Sequence, residues 1–145
     1  MSSVERTILL VEDDPAARRL FEEAMAESQI ASLQVATTGR EALSLLTGSE
    51  AGGEDHELPD VIVLDLHLPD MSGLDLLEAL KSSETPLRRI PVLLLSTSTE
   101  QKHVDRAYDL GVNAYLAKPD GYDDLLTLME ELRSFWLRRI VFPTH

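Results

Sequence analysis

Acidic, hydroxyl and amino side chains stand directly after short apolar runs in this 145-residue chain. They are the carboxylates Glu12, Asp13, Asp14 and Asp65, the hydroxyl of Ser96 and the amine of Lys118. Carboxylates that repel one another favour a hard divalent cation such as Mg²⁺, which prefers oxygen ligands. A hydroxyl and an amine beside that cation suit an anion with several oxygens, so the set is typical of phosphoryl transfer. Asp65 follows the most apolar run, which indicates it as the nucleophile of an aspartyl phosphate.

Each of these residues also has an ordinary structural interpretation. An acidic run before a helix commonly caps it, and an aspartate after a strand is commonly a turn residue. Hydroxyl residues before a helix are usually caps, and a lysine beside a proline usually faces solvent. The order of these residues along alternating runs favours the chemical interpretation.

The elements that must position these side chains are five apolar runs separated by stretches of helical period. The runs cover residues 7–11, 33–36, 61–64, 91–95 and 114–116. Helix starts are predicted from Asp14-Pro15 and from the capping-box spacings Thr38…Glu41 and Thr97…Glu100. The alternation predicts an α/β fold with a parallel sheet and helices on both faces. Ligands bind such sheets at the carboxyl ends of the strands, where the polar side chains would meet.

Composition excludes several classes of function. The chain has 13 basic and 26 acidic residues, a net charge of −13, which argues against nucleic acid and anionic membranes as partners. It has no cysteine, so disulfides, thiolate catalysis and cysteine-based metal sites are excluded. With 43% hydrophobic residues and no run near the roughly 20 residues of a membrane span, we expect one cytoplasmic domain.

The sequence resembles the receiver domain of bacterial response regulators, the CheY-like family. Four segments carry the resemblance: ILLVEDD at 8–14, VLDLHLPDMSG at 63–73, PVLLLST at 91–97 and AYLAKP at 114–119. The resemblance covers residues 5–132. It implies a doubly wound, five-stranded parallel sheet, the flavodoxin-like (βα)5 receiver fold, with strand order 2-1-3-4-5.

The same resemblance assigns roles at the acidic end of the site. Asp65 matches the phosphoacceptor. Asp13 and Glu12 match the pair that organises Mg²⁺, or Mn²⁺ as a substitute, with Asp13 a direct ligand and Glu12 acting through water. Asp14 is a helix cap first and a ligand second. His67 matches the residue whose backbone carbonyl completes the metal site.

Further roles follow for the donor-rich end. Ser96 matches the hydroxyl that turns toward the phosphoryl group, and Tyr115 matches the aromatic switch residue that follows it inward. Lys118 matches the lysine that pairs with the acidic site and then with phosphate. The Lys118–Pro119 peptide is expected to be cis, and Gly73 is expected in a tight turn.

These roles imply a single-domain response regulator of a two-component system, a phosphoacceptor switch and not an enzyme. A sensor histidine kinase would be its donor. Segments 95–98 and 108–113 and the tail are similar to regulators partnered with bacterial phytochromes.

One alternative is a phosphorelay intermediate that passes phosphate to a histidine phosphotransfer protein. Others are a haloacid-dehalogenase-like phosphatase, a flavodoxin-like FMN binder and a receiver-like scaffold that is never phosphorylated. The spacing around Asp13 and Asp65 argues against the phosphatase.

Two segments stand outside the alternation. Residues 48–59 are polar and glycine-rich and are expected to form a surface loop. Residues 133–145 are expected to extend helix five and end in an aromatic, basic tail, with no output domain after it. The predicted buried stripe of helix five is Leu125, Leu128, Leu132 and Phe135. The apolar residues off that stripe are Leu126, Met129, Trp136 and Ile140, which predicts a homodimer through helix five and the tail. The alternative is that Trp136 and Phe142 fold back over their own domain.

Overall fold

A single five-stranded parallel sheet forms the centre of the computed structural model, which describes residues 6–48 and 58–143. The strands are β1 Thr7–Val11, β2 Ser32–Ala36, β3 Val61–Asp65, β4 Val92–Ser96 and β5 Ala114–Ala117. Their order is β2-β1-β3-β4-β5, and all four pairings are parallel. The predicted fold and strand order are therefore confirmed. Most of the predicted loop at residues 48–59, namely residues 49–57, lies outside the described residues.

Five helices cover the two faces of this sheet. They are α1 Pro15–Ser28, α2 Gly39–Thr47, α3 Gly73–Lys81, α4 Gln101–Asp109 and α5 Tyr122–Glu131. Helices α2, α3 and α4 pack on one face, and α1 and α5 pack on the other. Strands β1, β3 and β4 are buried on both faces, which explains their unbroken apolar sequence. Within the described ranges, none of the helices has the length and apolar character needed to cross a membrane.

Two of the three predicted helix starts are found. The Asp14 carboxylate accepts a hydrogen bond from the Ala16 N–H, and the Thr38 hydroxyl accepts one from the Glu41 N–H. The predicted cap at Thr97 is wrong. Helix α4 begins at Gln101 after an extended Glu100 without a side-chain cap, because residues 97–100 form a loop that bends back toward β4.

Helix α5 buries most of the predicted stripe: Leu125 and Leu132 are buried, and Leu128 packs against the core. Met129 is fully buried, whereas Phe135 is 55% exposed. The helix continues into a π-helical turn, Leu132–Trp136, in which the Leu137 N–H donates to the Leu132 carbonyl five residues back. Leu125, Met129, Leu132 and Trp136 are four, three and four residues apart, which is ordinary helical spacing, so Trp136 lies on the buried side in place of Phe135.

The tail folds back over its own domain, which is the alternative weighed against a dimer. Trp136, Leu137 and Phe142 pack against the core under α1 and α5. The Arg133 guanidinium donates to the Ser28 carbonyl at 2.6 Å, and the Arg6 guanidinium lies 4.5 Å from the centre of the Phe142 ring. The prediction that Trp136 has no place in a monomer core is therefore wrong.

Candidate functional site

Three carboxylates meet at the carboxyl ends of β1 and β3. Glu12 and Asp13 follow β1, and Asp65 is the last residue of β3. The two strands are parallel neighbours with Val11 opposite Leu64, so the residues that follow lie side by side. Carboxylate oxygens of Glu12, Asp13 and Asp65 all lie within 4.8 Å of one another. The sheet therefore assembles the cluster from segments more than 50 residues apart.

Burial makes this cluster electrostatically unfavourable. Glu12 is 4% exposed and Asp65 is 8% exposed, while Asp13 is half-buried at the rim. Burial raises the pKa of Asp65 from its ordinary value of 3.8 to about 6, and the neighbouring negative charge of Glu12 adds to the increase. The charge of Lys118 opposes it only in part. Three oxygen donors around an uncompensated negative charge fit a hard divalent cation.

Lys118 reaches this cluster from the end of β5, across β4. Its Nζ lies 2.7 Å from Glu12 Oε1 and 3.4 Å from Asp65 Oδ1. Burial lowers the Lys118 pKa, but the hydrogen bond and charge of Glu12 and the charge of Asp65 outweigh burial, so the net pKa is raised. The amine is therefore held as an ammonium group between two anions.

Asp14 and His67 lie at the edge of the cluster. Asp14 is exposed and caps α1 through its 3.3 Å contact with the Ala16 N–H, outside the three-carboxylate group. Its ranking as a cap before a ligand agrees with this geometry. His67 is exposed two residues after Asp65 and forms an isolated antiparallel bridge with Ser72, which fixes the backbone there.

Ser96 and Tyr115 are linked through the loop that follows β4. Ser96 is fully buried, and its hydroxyl accepts a hydrogen bond from the Ser98 N–H at 3.0 Å. The Tyr115 hydroxyl donates to the Ser98 carbonyl at 2.7 Å, and its ring packs on the core under α2, α3 and α4. The two predicted switch residues therefore share one loop residue, with the Tyr115 ring turned inward.

Gly73 is required by a close approach and not by the predicted tight turn. Among the described glycines with positive φ, Gly73 is absent, so its backbone conformation does not demand glycine. A Cβ built on Gly73 would overlap the Asp65 carbonyl oxygen and would lie 2.9 Å from the Leu66 Cα. The first residue of α3 thus packs directly on the chain that carries Asp65.

The expected cis peptide at Lys118–Pro119 is wrong, because no peptide bond between described residues is cis. The trans form is favoured by about 0.5–1 kcal/mol for X–Pro bonds unless tertiary contacts select the other isomer. The Lys118 N–H donates to the Ser96 carbonyl at 2.9 Å, and Lys118 reaches the cluster with the trans bond in place.

The sequence analysis assigned no site role to three residues around this site, namely Asp70, Ser98 and His103. The Asp70 carboxylate accepts hydrogen bonds from the Gly39 and Arg40 N–H groups, both at 2.9 Å, and so caps α2 across the site. Ser98 joins Ser96 to Tyr115, and its hydroxyl lies 2.9 Å from His103 Nδ1. The two Asp70 contacts span 31 and 30 residues in sequence. They leave no local sequence signal, because they depend on how the loop folds over the sheet.

Comparison with known proteins identifies the family. The profile of the response regulator receiver domain matches residues 8–130. The probable methanogenesis regulatory protein FilR2 of Methanothrix harundinacea is 41% identical over 134 residues, which cover 90% of this chain and 83% of that protein. Response regulator Rcp1 of Synechocystis sp. is 36% identical over 143 residues, which cover 98% of this chain and 96% of Rcp1.

Solved structures agree with these relatives. The crystal structure of Mn²⁺-bound Rcp1 matches 96% of this chain and 99% of its own, with a TM-score of 0.83 and 36% identity. The phosphorylated cyanobacterial phytochrome response regulator RcpA matches 97% of this chain and all of its own, with a TM-score of 0.86 and 35% identity. With the family profile spanning most of its length and these relatives covering nearly all of it, the chain belongs to the response regulator receiver domain family.

Proposed function

We propose that this chain is a phosphoacceptor switch whose Asp65 receives a phosphoryl group from a sensor histidine kinase. The observation that carries the proposal is the position of the Asp65 carboxylate. It is 8% exposed, stands at the end of a central strand, and lies between an acidic pair and the Lys118 ammonium. A carboxylate that is desolvated and held beside a specific charge partner in this way is typical of a functional site.

In the proposed step, a carboxylate oxygen of Asp65 attacks the phosphorus of a phosphohistidine. The new O–P bond forms as the N–P bond breaks, and the electron pair of that bond stays on the imidazole nitrogen. Glu12, Asp13, Asp65 and the His67 carbonyl would hold Mg²⁺, or Mn²⁺ as found in Rcp1. When bound, the cation neutralises charge on the phosphoryl oxygens. Lys118 would exchange a carboxylate partner for a phosphoryl oxygen, which suits a flexible point charge.

Labelling by a small phosphodonor tests the acceptor. We expect acetyl phosphate with Mg²⁺ to add one phosphoryl group to the wild-type chain, detected by intact mass. The variant Asp65→Asn and an excess of EDTA should each abolish labelling. Asp109→Asn, which changes an exposed aspartate on α4, is the matched control and should label normally. Labelling that survives both Asp65→Asn and EDTA would refute the assignment.

We infer that the donor is a protein kinase, with phytochrome kinases the first candidates, because RcpA is a phytochrome response regulator. An apolar pocket of about 70 Å³ supports a protein donor. It lies beside Lys118 between α1 and the start of α5, with the large, exposed Leu20 side chain on its lining. A helix of the kinase would cover this pocket while its histidine reaches Asp65.

The variant Leu20→Arg distinguishes the two kinds of donor. It should slow transfer from a cognate kinase, found by screening a panel that includes phytochrome kinases. It should leave labelling by acetyl phosphate unchanged, because Leu20 lies outside the carboxylate cluster. Equal slowing with both donors would contradict a role in kinase contact.

We propose that phosphorylation is read through Ser96, Lys118 and Tyr115. The Ser96 hydroxyl and the Lys118 ammonium would bind phosphoryl oxygens, and Tyr115 would follow through the shared loop. We expect Lys118→Ala to retain the fold yet lose the conformational response to phosphorylation. Equal changes in amide chemical shift on phosphorylation of the wild type and of the variant would count against this role.

We further propose that the protein acts in the cytoplasm. We also propose that it forms a homodimer through the exposed side chains at the end of α5 and in the tail. Phe135 is 55% exposed and Val141 is 92% exposed, and the exposed side chains of Arg138 and Arg139 lie between them in sequence. These groups suit contact with an acidic surface of a second copy. Light scattering of the full chain and of Phe135→Ser with Val141→Ser tests this. A monomer at tens of micromolar for the full chain, or an unchanged dimer in the double variant, would refute the proposed interface.

A further inference from the structure

Ser98, in the loop between β4 and α4, is bonded to three different elements. Its N–H donates to the Ser96 hydroxyl on β4 at 3.0 Å. Its carbonyl accepts from the Tyr115 hydroxyl on β5 at 2.7 Å. Its own hydroxyl pairs with His103 Nδ1 on α4 at 2.9 Å. A displacement of Ser98 therefore acts on β5 and on α4 together.

His103 ties this loop to a helix that has no side-chain cap. It is the third residue of α4 and is half-buried, so its bond to Ser98 is partly shielded from water. The Ser98 hydroxyl also accepts a longer hydrogen bond, 3.4 Å, from the Glu100 N–H at the start of the helix. The Ser98–His103 pair is thus the shorter of the two side-chain contacts by which Ser98 holds the first turn of α4.

We propose that His103 is a positioning residue that transmits phosphorylation to α4, as a second branch beside the Tyr115 branch to β5. The inference rests on the proposed phosphorylation of Asp65. The Ser96 hydroxyl is the acceptor of the Ser98 N–H, so rotating that hydroxyl toward a phosphoryl oxygen removes the acceptor or pulls Ser98 with it. Since the Ser98 hydroxyl is hydrogen-bonded to His103 Nδ1, a displacement of Ser98 moves the first turn of α4 with it.

The two branches meet again at the far end of α4. The Tyr108 hydroxyl accepts a hydrogen bond from the Tyr115 N–H at 3.3 Å, and Tyr108 is half exposed. Helix α4 is therefore connected to the switch at its first turn by His103 and at its last turn by Tyr108. Movement of both ends would shift the exposed face of α4 as a unit, including Lys102 and Arg106.

Amide NMR spectra of the full chain test the second branch, with acetyl phosphate and Mg²⁺ as the phosphorylating reagent. The variants are His103→Ala, His103→Asn, Ser98→Ala and the double variant Ser98→Ala/His103→Ala. Lys102→Ala is the matched control, because it changes an exposed side chain of the same helical turn. The changes in amide chemical shift caused by phosphorylation are compared between chains at equal phosphorylated fraction. The comparison covers residues 96–98, residue 115 and residues 104–109.

In His103→Ala we expect the response at residues 96–98 and 115 to remain. The response over residues 104–109 should fall about two- to tenfold, the range by which one neutral hydrogen bond biases a two-state equilibrium. His103→Asn, whose amide reaches the position of Nδ1, should restore most of the response. Ser98→Ala, which also removes the longer bond from the Glu100 N–H, should lose at least as much of the response. The double variant should respond like Ser98→Ala, because the His103 contact is already absent there.

The outcomes separate this inference from the function on which it rests. A wild-type chain that is not labelled on Asp65 would refute the proposed function. A labelled wild type with an unchanged α4 response in His103→Ala and Ser98→Ala would overturn the role of His103 alone. An equal loss in Lys102→Ala would also overturn it, because the effect would then be a general weakening of α4. Should His103→Ala fail to fold, Ser98→Ala and His103→Asn give the same decision.

Discussion

The burial that prepares Asp65 for chemistry should make the wild-type fold less stable than its Asp65→Asn variant. The pKa of Asp65 lies near 6 in the folded chain against an ordinary 3.8, chiefly because of burial and then because of Glu12. Between these two pH values the folded state binds more protons at this residue than the unfolded state. Folding stability contributed by Asp65 therefore falls as pH rises through that interval and is constant above about pH 7.

The size of the effect follows from the shift. A displacement of about two pKa units corresponds to roughly 3 kcal/mol of unfavourable free energy at neutral pH. Asparagine has the same shape, removes the charge and keeps an oxygen that can accept from Lys118. We therefore expect Asp65→Asn to raise the free energy of unfolding by about 2–3 kcal/mol at pH 7.5, and by little near pH 4.

Urea denaturation of both chains at the two pH values, with EDTA present, measures this difference. Added Mg²⁺ should stabilise the wild type and narrow the gap, since binding to the folded state shifts the equilibrium by mass action. A variant that is no more stable than the wild type at pH 7.5 would refute the reasoning. So would a stability gap that is equally large near pH 4.

Asp70→Asn is a matched control with the opposite sign. Slight burial raises the pKa of Asp70, but hydrogen bonds from the Gly39 and Arg40 N–H groups outweigh burial and lower it. That carboxylate stabilises the fold above its unfolded pKa, and the contribution is lost as pH falls through its lower folded pKa. Asp70→Asn should therefore lower stability at pH 7.5. A gain in both variants would indicate a general effect of reducing negative charge in a chain of net −13.

Asp13→Ala should raise the Mg²⁺ concentration needed for labelling by about tenfold or more, and Asp14→Ala should raise it far less. A titration of labelling against Mg²⁺ measures both concentrations. Equal effects of the two variants would mean that the ligand pair is misassigned. Gly73→Ala should destabilise the fold by about 1–3 kcal/mol in urea denaturation, because the new methyl group meets a β3 carbonyl oxygen. Trp136→Ala should cost about 2–3 kcal/mol in the same assay at a protein concentration where the chain is monomeric. Phe135→Ala, which loses only an edge-to-face contact with Trp136, should cost about 1 kcal/mol or less there. Similar losses for both aromatic variants would contradict the placement of Trp136 against the core and of Phe135 at the surface.

The sequence by itself determined the sheet and the residues at its carboxyl edge. Unbroken apolar runs encode strands buried on both faces, and the alternation with helical segments leaves few topologies. Each strand-end residue is fixed by the end of its own run, so the positions of Asp13, Asp65 and Lys118 could be predicted from local patterns. The observed cluster of Glu12, Asp13 and Asp65 agrees with that prediction.

Only the tertiary structure decided which face of α5 is buried and where the tail lies. Helical spacing allows either the residue three positions or the residue four positions along to share a face, and the packing of α5 buries Met129 and Trp136 while Phe135 stays exposed. The contact between Ser98 and Tyr115 and the Asp70 cap of α2 likewise join different elements of the fold, 17 and 31 residues apart in sequence. Such contacts form only after the sheet and helices have packed, because they depend on the distance between elements and not on the residues within one element.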